Sequence, residues 1–322
     1  MAIISLLSLQ DAGTLSGSEI IPVNQNGTTK RTAVSAIGGR GINSQTQGDQ
    51  AIVLAGCNNK ALSSFGVVVQ GEGNYVGSHI HNTILNGKNN TNLSIGYSTI
   101  IGGCGNLIAG CNACTQHSTI LNGSGNSLSG GCNTLLGGKN SKIDTGGSCN
   151  NAILVGDSAT ISSPLGCNNN IILGGSGTIC DSSNAVIGSP TASSICKSQN
   201  SFLGSGAFTF ILSSGCSFIG SAPLSRITSG SNNSIVGGTN NCILSGSRGA
   251  ILGGQCNCLK GNDSFIIGSG INGFADGTTF INKLSATSSI HAGDGFTGTV
   301  TISSTAGDKS MVITDGIITG IS

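Results

Sequence analysis

The sequence predicts an all-β chain whose body is a parallel β-solenoid, a β-roll of about 14 two-strand coils, with small β modules at its ends. Three observations predict it. One phrase recurs with small changes: NTILNGKNN at 82–90, STIIGGCGN at 98–106, STILNGSGN at 118–126, NTLLGGKNS at 133–141 and NSIVGGTNN at 233–241. The 322 residues include 54 Gly, no Trp, 3% aromatic and only 8% charged residues, a composition rich in turns and poor in the large side chains of a conventional core. No 3.6-residue apolar spacing lasts three turns between the glycines, which excludes helices across the repeats.

Each repeat can be anchored on the first residue of its aliphatic pair: Val53, Val68, Ile84, Ile100, Ile120, Leu135, Ile153, Ile172, Val186, Phe202, Phe218, Ile235, Ile251 and Phe265. The steps between them are 15, 16, 16, 20, 15, 18, 19, 14, 16, 16, 17, 16 and 14 residues, about 16 each, the fixed period of a solenoid. A weaker second half follows eight or nine residues after its anchor, with one aliphatic beside small polar residues: Leu128, Ile143, Ile161, Ile227, Ile243 and Leu259. Two short β-rich runs per repeat, separated by Gly, Asn and Ser, read as two strands and two turns.

The two halves predict different surroundings. Strand side chains alternate between faces, so an adjacent aliphatic pair sends one residue into the solenoid and one out of it. The pairs Ile84 and Leu85, Ile100 and Ile101, Ile120 and Leu121, Leu135 and Leu136, Ile153 and Leu154, Ile235 and Val236, and Ile251 and Leu252 therefore define a core file and an outward apolar stripe. A stripe of that size is an association surface, and a homo-oligomer packed about it is expected. The second strand, with one aliphatic among Ser, Thr, Asp and Lys, is expected to have one buried and one wet face.

At the N-terminus, ISLLSLQDAGTLSGSEIIPVNQNGTTKRTAVSAI reads as a strand at Glu19, Ile20, Ile21 and on to Val23, an Asn26-Gly27 turn supplying positive φ, and a strand from Thr28 to Val34. At the C-terminus, GFTGTVTISSTAGDKSMVITDGIITGIS alternates apolar and polar residues over two or three strands. Residues 1–46, 47–283 and 284–322 are the expected modules: attachment hairpin, solenoid and closing cap.

Two resemblances bear on function. The N-[ST]-[IVF]-[LIV]-x-G units over roughly residues 50–270 are similar to the head domains of trimeric autotransporter adhesins, parallel β-rolls packed three around an axis, although those heads keep a stricter 14-residue period. The opening segment resembles the short module at the start of bacteriophage tail-fibre and virion structural proteins, which joins the fibre to the particle; the final segment resembles closing segments of phage structural proteins. Together they imply an elongated homotrimer at the virion, assembled in the host cytoplasm, with other virion proteins bound through residues 1–46 and a host-surface glycan or protein met by the rest.

The remaining composition argues by exclusion. Plentiful aliphatics with a net charge of +1 do not describe a disordered chain, and 13 Lys+Arg against 12 Asp+Glu give no field for nucleic acid. No apolar run approaches a membrane span, and the N-terminus shows no basic n-region or clear cleavage site, so no membrane insertion is expected. Thirteen Cys at irregular spacings suit reduced thiols better than a disulfide framework.

Cys111, Cys114 and His117 have a C-x2-C-x2-H spacing, with Cys104 as a fourth ligand for zinc; against this, Cys replaces Ser, Asn or Ala at turns throughout the chain, and no metal or other cofactor is expected. The HIH at 79–81 is expected to place two exposed imidazoles on one strand face. Gly-rich strings lead into no helix and so are turns rather than phosphate loops, and calcium-binding solenoids need an Asp where this chain has Asn and Ser. No catalytic set emerges from four His and twelve acidic residues. The expectation is a non-enzymatic fibre or spike component, with a receptor-degrading tailspike (a glycan depolymerase) or a bacterial surface adhesin as alternatives. An ice-binding solenoid fits less well, because no regular T-x-T column is evident.

Overall fold

A computed structural model describes residues 20–25, 28–33, 43–77, 79–110, 117–148, 150–163, 169–282, 298–304, 307–314 and 317–321. It divides into two units, Met1–Asn282 and Lys283–Ser322. Every regular element among the described residues is a β-strand.

From residue 45 to residue 281 the chain is a parallel β-solenoid of about 14 turns, each strand pairing in parallel with its counterpart one coil away. Thr83 and Ile84 pair with Thr99 and Ile100, which pair with Thr119 and Ile120. On the second strand Leu107 and Ile108 pair with Ser127 and Leu128. Both strands use the same three-residue device: a small polar residue pointing in, a residue pointing out, and an aliphatic pointing in. Asn82-Thr83-Ile84 and Asn106-Leu107-Ile108 are examples, with Asn82, Ile84, Asn106 and Ile108 at no more than 1% exposure.

The core is therefore two files of aliphatics. Ile84, Ile100, Ile120, Leu135, Ile153, Ile172, Ile235 and Ile251 line the first strand, and Leu128, Ile143, Ile161, Ile227, Ile243 and Leu259 stand among those on the second, all fully buried. Asn92 interrupts the second file, buried with its Nδ2 donating to the Ser98 carbonyl at 2.9 Å.

Four anchors are corrected by one residue. Ile172 pairs with Ile187, Ile187 with Leu203, Leu203 with Ile219 and Ile219 with Ile235, while Ile251 pairs with Ile266. Val186, Phe202, Phe218 and Phe265 thus precede the buried residue and face outward. In SFL and SFI the outward place before the core residue is itself apolar, so the first apolar residue of the pair is the outward one. In the corrected register the steps from Ile172 to Ile266 are 15, 16, 16, 16, 16 and 15 residues, and Ile227 follows Ile219 by eight, as in the other coils.

The long steps have one origin. Ile100 to Ile108, Leu135 to Ile143 and Ile153 to Ile161 keep the usual eight residues, so all the extra length lies between a second strand and the next first strand. The ladders continue across it: Ile100 pairs with Ile120, Leu135 with Ile153, and Ile153 with Ile172.

The recurring Gly and Asn belong to the turns. At Gly138 φ is +90°, and a Cβ there would lie 1.8 Å from the Gly156 carbonyl oxygen of the next coil. Only glycine lets the backbones stack so closely. In the coils from Asn59 to Asn126 the inward residue after the equivalent turn is an Asn, and it serves the next coil twice. Asn106 Oδ1 accepts the Asn126 N–H at 3.1 Å, while its Nδ2 donates to the Gly123 carbonyl at 3.1 Å. The same pairing links Asn59 to Asn74, Asn74 to Asn90, Asn90 to Asn106 and Asn126 to Ser141. At the other corner Ser98 and Ser118 Oγ, then Asn133 and Asn151 Oδ1, accept in turn. Buried turn backbone must find partners, and these side chains supply them.

Outside the solenoid, Ile20–Gln25 and Thr28–Ala33 form an antiparallel hairpin closed by Gln25 opposite Thr28, leaving the two-residue loop that Asn26-Gly27 predicts. Ile20, Ile21 and Val23 lie in the first of these strands; Glu19, Asn26, Gly27 and Val34 lie outside the described residues. In the second unit, Gly298–Ser304, Gly307–Thr314 and Ile317–Ile321 form a three-stranded antiparallel sheet.

Candidate oligomer interface and turn columns

Parallel stacking converts each sequence position into a column, so like residues lie over like at the spacing of adjacent strands, about 4.8 Å. Outward on the first strand, the place after the core residue is filled by Leu54, Leu85, Ile101, Leu121, Leu136, Leu154 and Leu173 in the first half and by Val236, Leu252 and Ile267 near the end. Leu54 is 50% exposed, Leu136 38% and Val236 49%. Their partners in the sequence pairs (Ile84, Ile100, Ile120, Leu135, Ile153, Ile235, Ile251) are all buried.

Between the two halves of this stripe the place after the core residue is held by Gly188, Gly204 and Gly220, and the apolar side chain changes position. Phe202 and Phe218, each one residue before the core residue, lean along the strand so that a ring carbon lies 3.4 Å from where a Cβ of Gly204 or Gly220 would be. The two rings stack with centroids 5.4 Å apart. The face thus stays apolar through the glycines. Beside it, Thr83, Thr99, Thr119 and Thr134 pair in register as a ladder of four threonines, a column the sequence reading missed because each is followed by an aliphatic pair rather than by another Thr.

The outer face of the second strand is less uniformly wet than expected. Lys60, Lys142 and Arg226 are exposed there, yet Leu107 and Phe210 occupy equivalent places half-buried, and Phe274 is exposed with Lys260 Nζ 5.1 Å from its ring centroid. Neighbouring side chains in this column cover one another, which the spacing of a single repeat does not reveal.

One turn forms a further column in which each residue has a φ near +55°. Phe65, His81, Tyr97 and His117 stack in succession, with centroids 4.7, 4.8 and 5.3 Å apart and planes within 6° of parallel. Farther along, Asn150, Asn169, Asn184 and Asn200 pass amide hydrogen bonds from one to the next, and Arg248 pairs with Asp263, Nη2 to Oδ2 at 2.8 Å. The guanidinium holds the Asp263 carboxyl below its ordinary range, mainly through that hydrogen bond, and is itself raised by it.

This geometry corrects one expectation. His79 and His81 do not share a strand face: His79 lies in an exposed bend and His81 in the turn column, sandwiched between Phe65 and Tyr97. Of the weighed zinc candidates, Cys104 lies on the opposite turn, bridged in parallel to Lys88 and Ser124, whereas His117 stacks on Tyr97. Cys111 and Cys114 lie outside the described residues, and among those described no three His, Cys, Asp or Glu side chains converge as a metal-ligand group.

The free-thiol expectation is corrected too. Cys180 and Cys196 are register partners on adjacent coils and form a disulfide, with Cα atoms 4.6 Å apart. The signal was in the sequence, since the two are separated by one coil, 16 residues. Seven cysteines among the described residues are free, including Cys242 and Cys258 at the same separation.

Fold and columns together define a repeat protein, a β-solenoid with one outward apolar face, a form compatible with fibre- and adhesin-type proteins. No protein-family model, curated protein or solved structure matches this chain.

Proposed function

We propose that the chain is a structural, non-enzymatic component of a bacteriophage fibre or spike, a homotrimer attached to the virion through residues 1–46 and meeting the host surface along its solenoid. The observation that carries this reading is the outward stripe. Leu85, Ile101, Leu121 and Leu136 stand in consecutive coils of a parallel sheet, an arrangement suited to burial against the same stripe of other copies. The hairpin at Ile20–Gln25 and Thr28–Ala33 accords with the attachment module that the opening sequence resembles.

The acidic residues favour a binding role over glycan cleavage. Glu72 is engaged by Lys88 at 3.1 Å, Asp144 by Lys142 at 2.7 Å and Asp263 by Arg248, so three carboxylates serve as partners of cations. Glycosidase chemistry needs two carboxylates facing one substrate bond. Imaging of virions labelled with antibody against this chain is expected to place it on an appendage. Label confined to host cells, or release of reducing sugar from host polysaccharide by the purified chain, would overturn the reading.

A further inference from the structure

We infer that Cys242 and Cys258 are a site of reversible oxidation, a second coil-to-coil disulfide that closes on reaction with a low-molecular-weight disulfide and clamps two adjacent coils near the C-terminal end of the solenoid. The two residues are direct register partners in a parallel ladder. They occupy the same outward place, immediately before the buried Ile243 and Leu259, so both sulfurs leave the sheet on one side. Strands one coil apart are about 4.8 Å apart, within the roughly 4.4–6.8 Å between Cα atoms that a disulfide spans.

The chain carries its own precedent. Cys180 and Cys196 stand in the same relation on the same strand of earlier coils, also outward and also one coil apart, and they are joined. Among the described cysteines only these two pairs are register partners. Both members of the second pair are partly exposed and therefore open to a small reagent.

Burial, reinforced by the hydrogen bond with Cys258, pushes the Cys242 thiol up to about 12, with Arg226 beside it opposing the shift. The exchange balances with either thiol as first attacker; taking Cys258, its thiolate forms first. It attacks one sulfur of the disulfide RSSR, forming a mixed disulfide on Cys258 and releasing RS⁻, which takes up a proton as RSH. Cys242 then loses its proton and attacks the Cys258 sulfur, breaking the mixed disulfide and releasing the second RSH. Two thiols and RSSR become one protein disulfide and two RSH, with two electrons passing from the cysteine sulfurs to RSSR.

The test uses the full chain, reduced, freed of reductant, exposed to oxidised glutathione, alkylated and digested for mass spectrometry. The expected product is a peptide pair joined through Cys242 and Cys258 and lighter by two hydrogens than the dithiol. In Cys242→Ser the glutathione should remain on Cys258, and in Cys258→Ser it should remain on Cys242. Both thiols found alkylated after exposure, or glutathione that stays on one cysteine of the parent chain, would overturn the site.

Discussion

A Gly138→Ala chain is expected to lose about 3 kcal/mol or more of stability, concentrated in the coils on either side of the substitution. Two costs combine. An L-residue at φ +90° is strained, and the new methyl would lie 1.8 Å from the Gly156 carbonyl oxygen, a backbone atom that cannot swing aside. The coils must separate, and the Lys139 N–H bond to that same oxygen, 2.9 Å long, is stretched with them. Gly105→Ala is the control: φ is +63°, yet a Cβ there meets nothing within 4 Å. It should cost only about 1 kcal/mol. Chemical denaturation gives the totals, and hydrogen exchange locates the loss. Equal effects of the two substitutions would contradict the close-stacking argument.

Replacing the ladder amide should cost almost as much. In Asn106→Leu the Asn126 N–H is left buried and unpaired, at about 1–3 kcal/mol, and the donation to the Gly123 carbonyl disappears, at about 1 kcal/mol more. The sum is about 2–4 kcal/mol. Asn106→Ser should restore part of this, because Ser98 Oγ accepts the Ser118 N–H at 3.2 Å in an equivalent corner. The ranking Asn, Ser, Leu in denaturation midpoint is the readout. A leucine variant as stable as the parent would show that the inward amides are not what satisfies the turn backbone.

These two substitutions also mark what was legible beforehand. The period of about 16, the two strands and the division of each aliphatic pair between an inward and an outward face follow from alternation and spacing alone, because a parallel stack imposes one pattern on every coil. The role of Asn106 was not legible: the residue before Leu107 reads as turn polarity until the next coil supplies the N–H it accepts from. The anchors at Val186, Phe202, Phe218 and Phe265 slipped by one for a related reason. With apolar residues on both faces, alternation no longer says which is inward, and only the pairing of Leu203 with Ile219 decides it.

The outward stripe was read from the adjacent pairs, but its continuation through Gly204 and Gly220 was not, since it depends on the Phe202 and Phe218 rings leaning over neighbouring glycines. Columns of this kind are relations between coils. His81 finding Phe65 and Tyr97 on its two faces, and Cys180 finding Cys196, are further cases. Each pair lies about one period apart in the sequence, so writing the chain in register would have aligned them.

On the proposed reading, other copies of this chain, three in all, cover the apolar stripe on the first strand. Sedimentation equilibrium of the purified chain tests it most directly. A homotrimer of 31.7 kDa chains has a mass of about 95 kDa, three times 31.7 kDa, and paired Leu136→Asp and Leu154→Asp substitutions, outward on adjacent coils, should shift it towards 31.7 kDa. A parent chain that sediments at 31.7 kDa across the micromolar range would contradict the account.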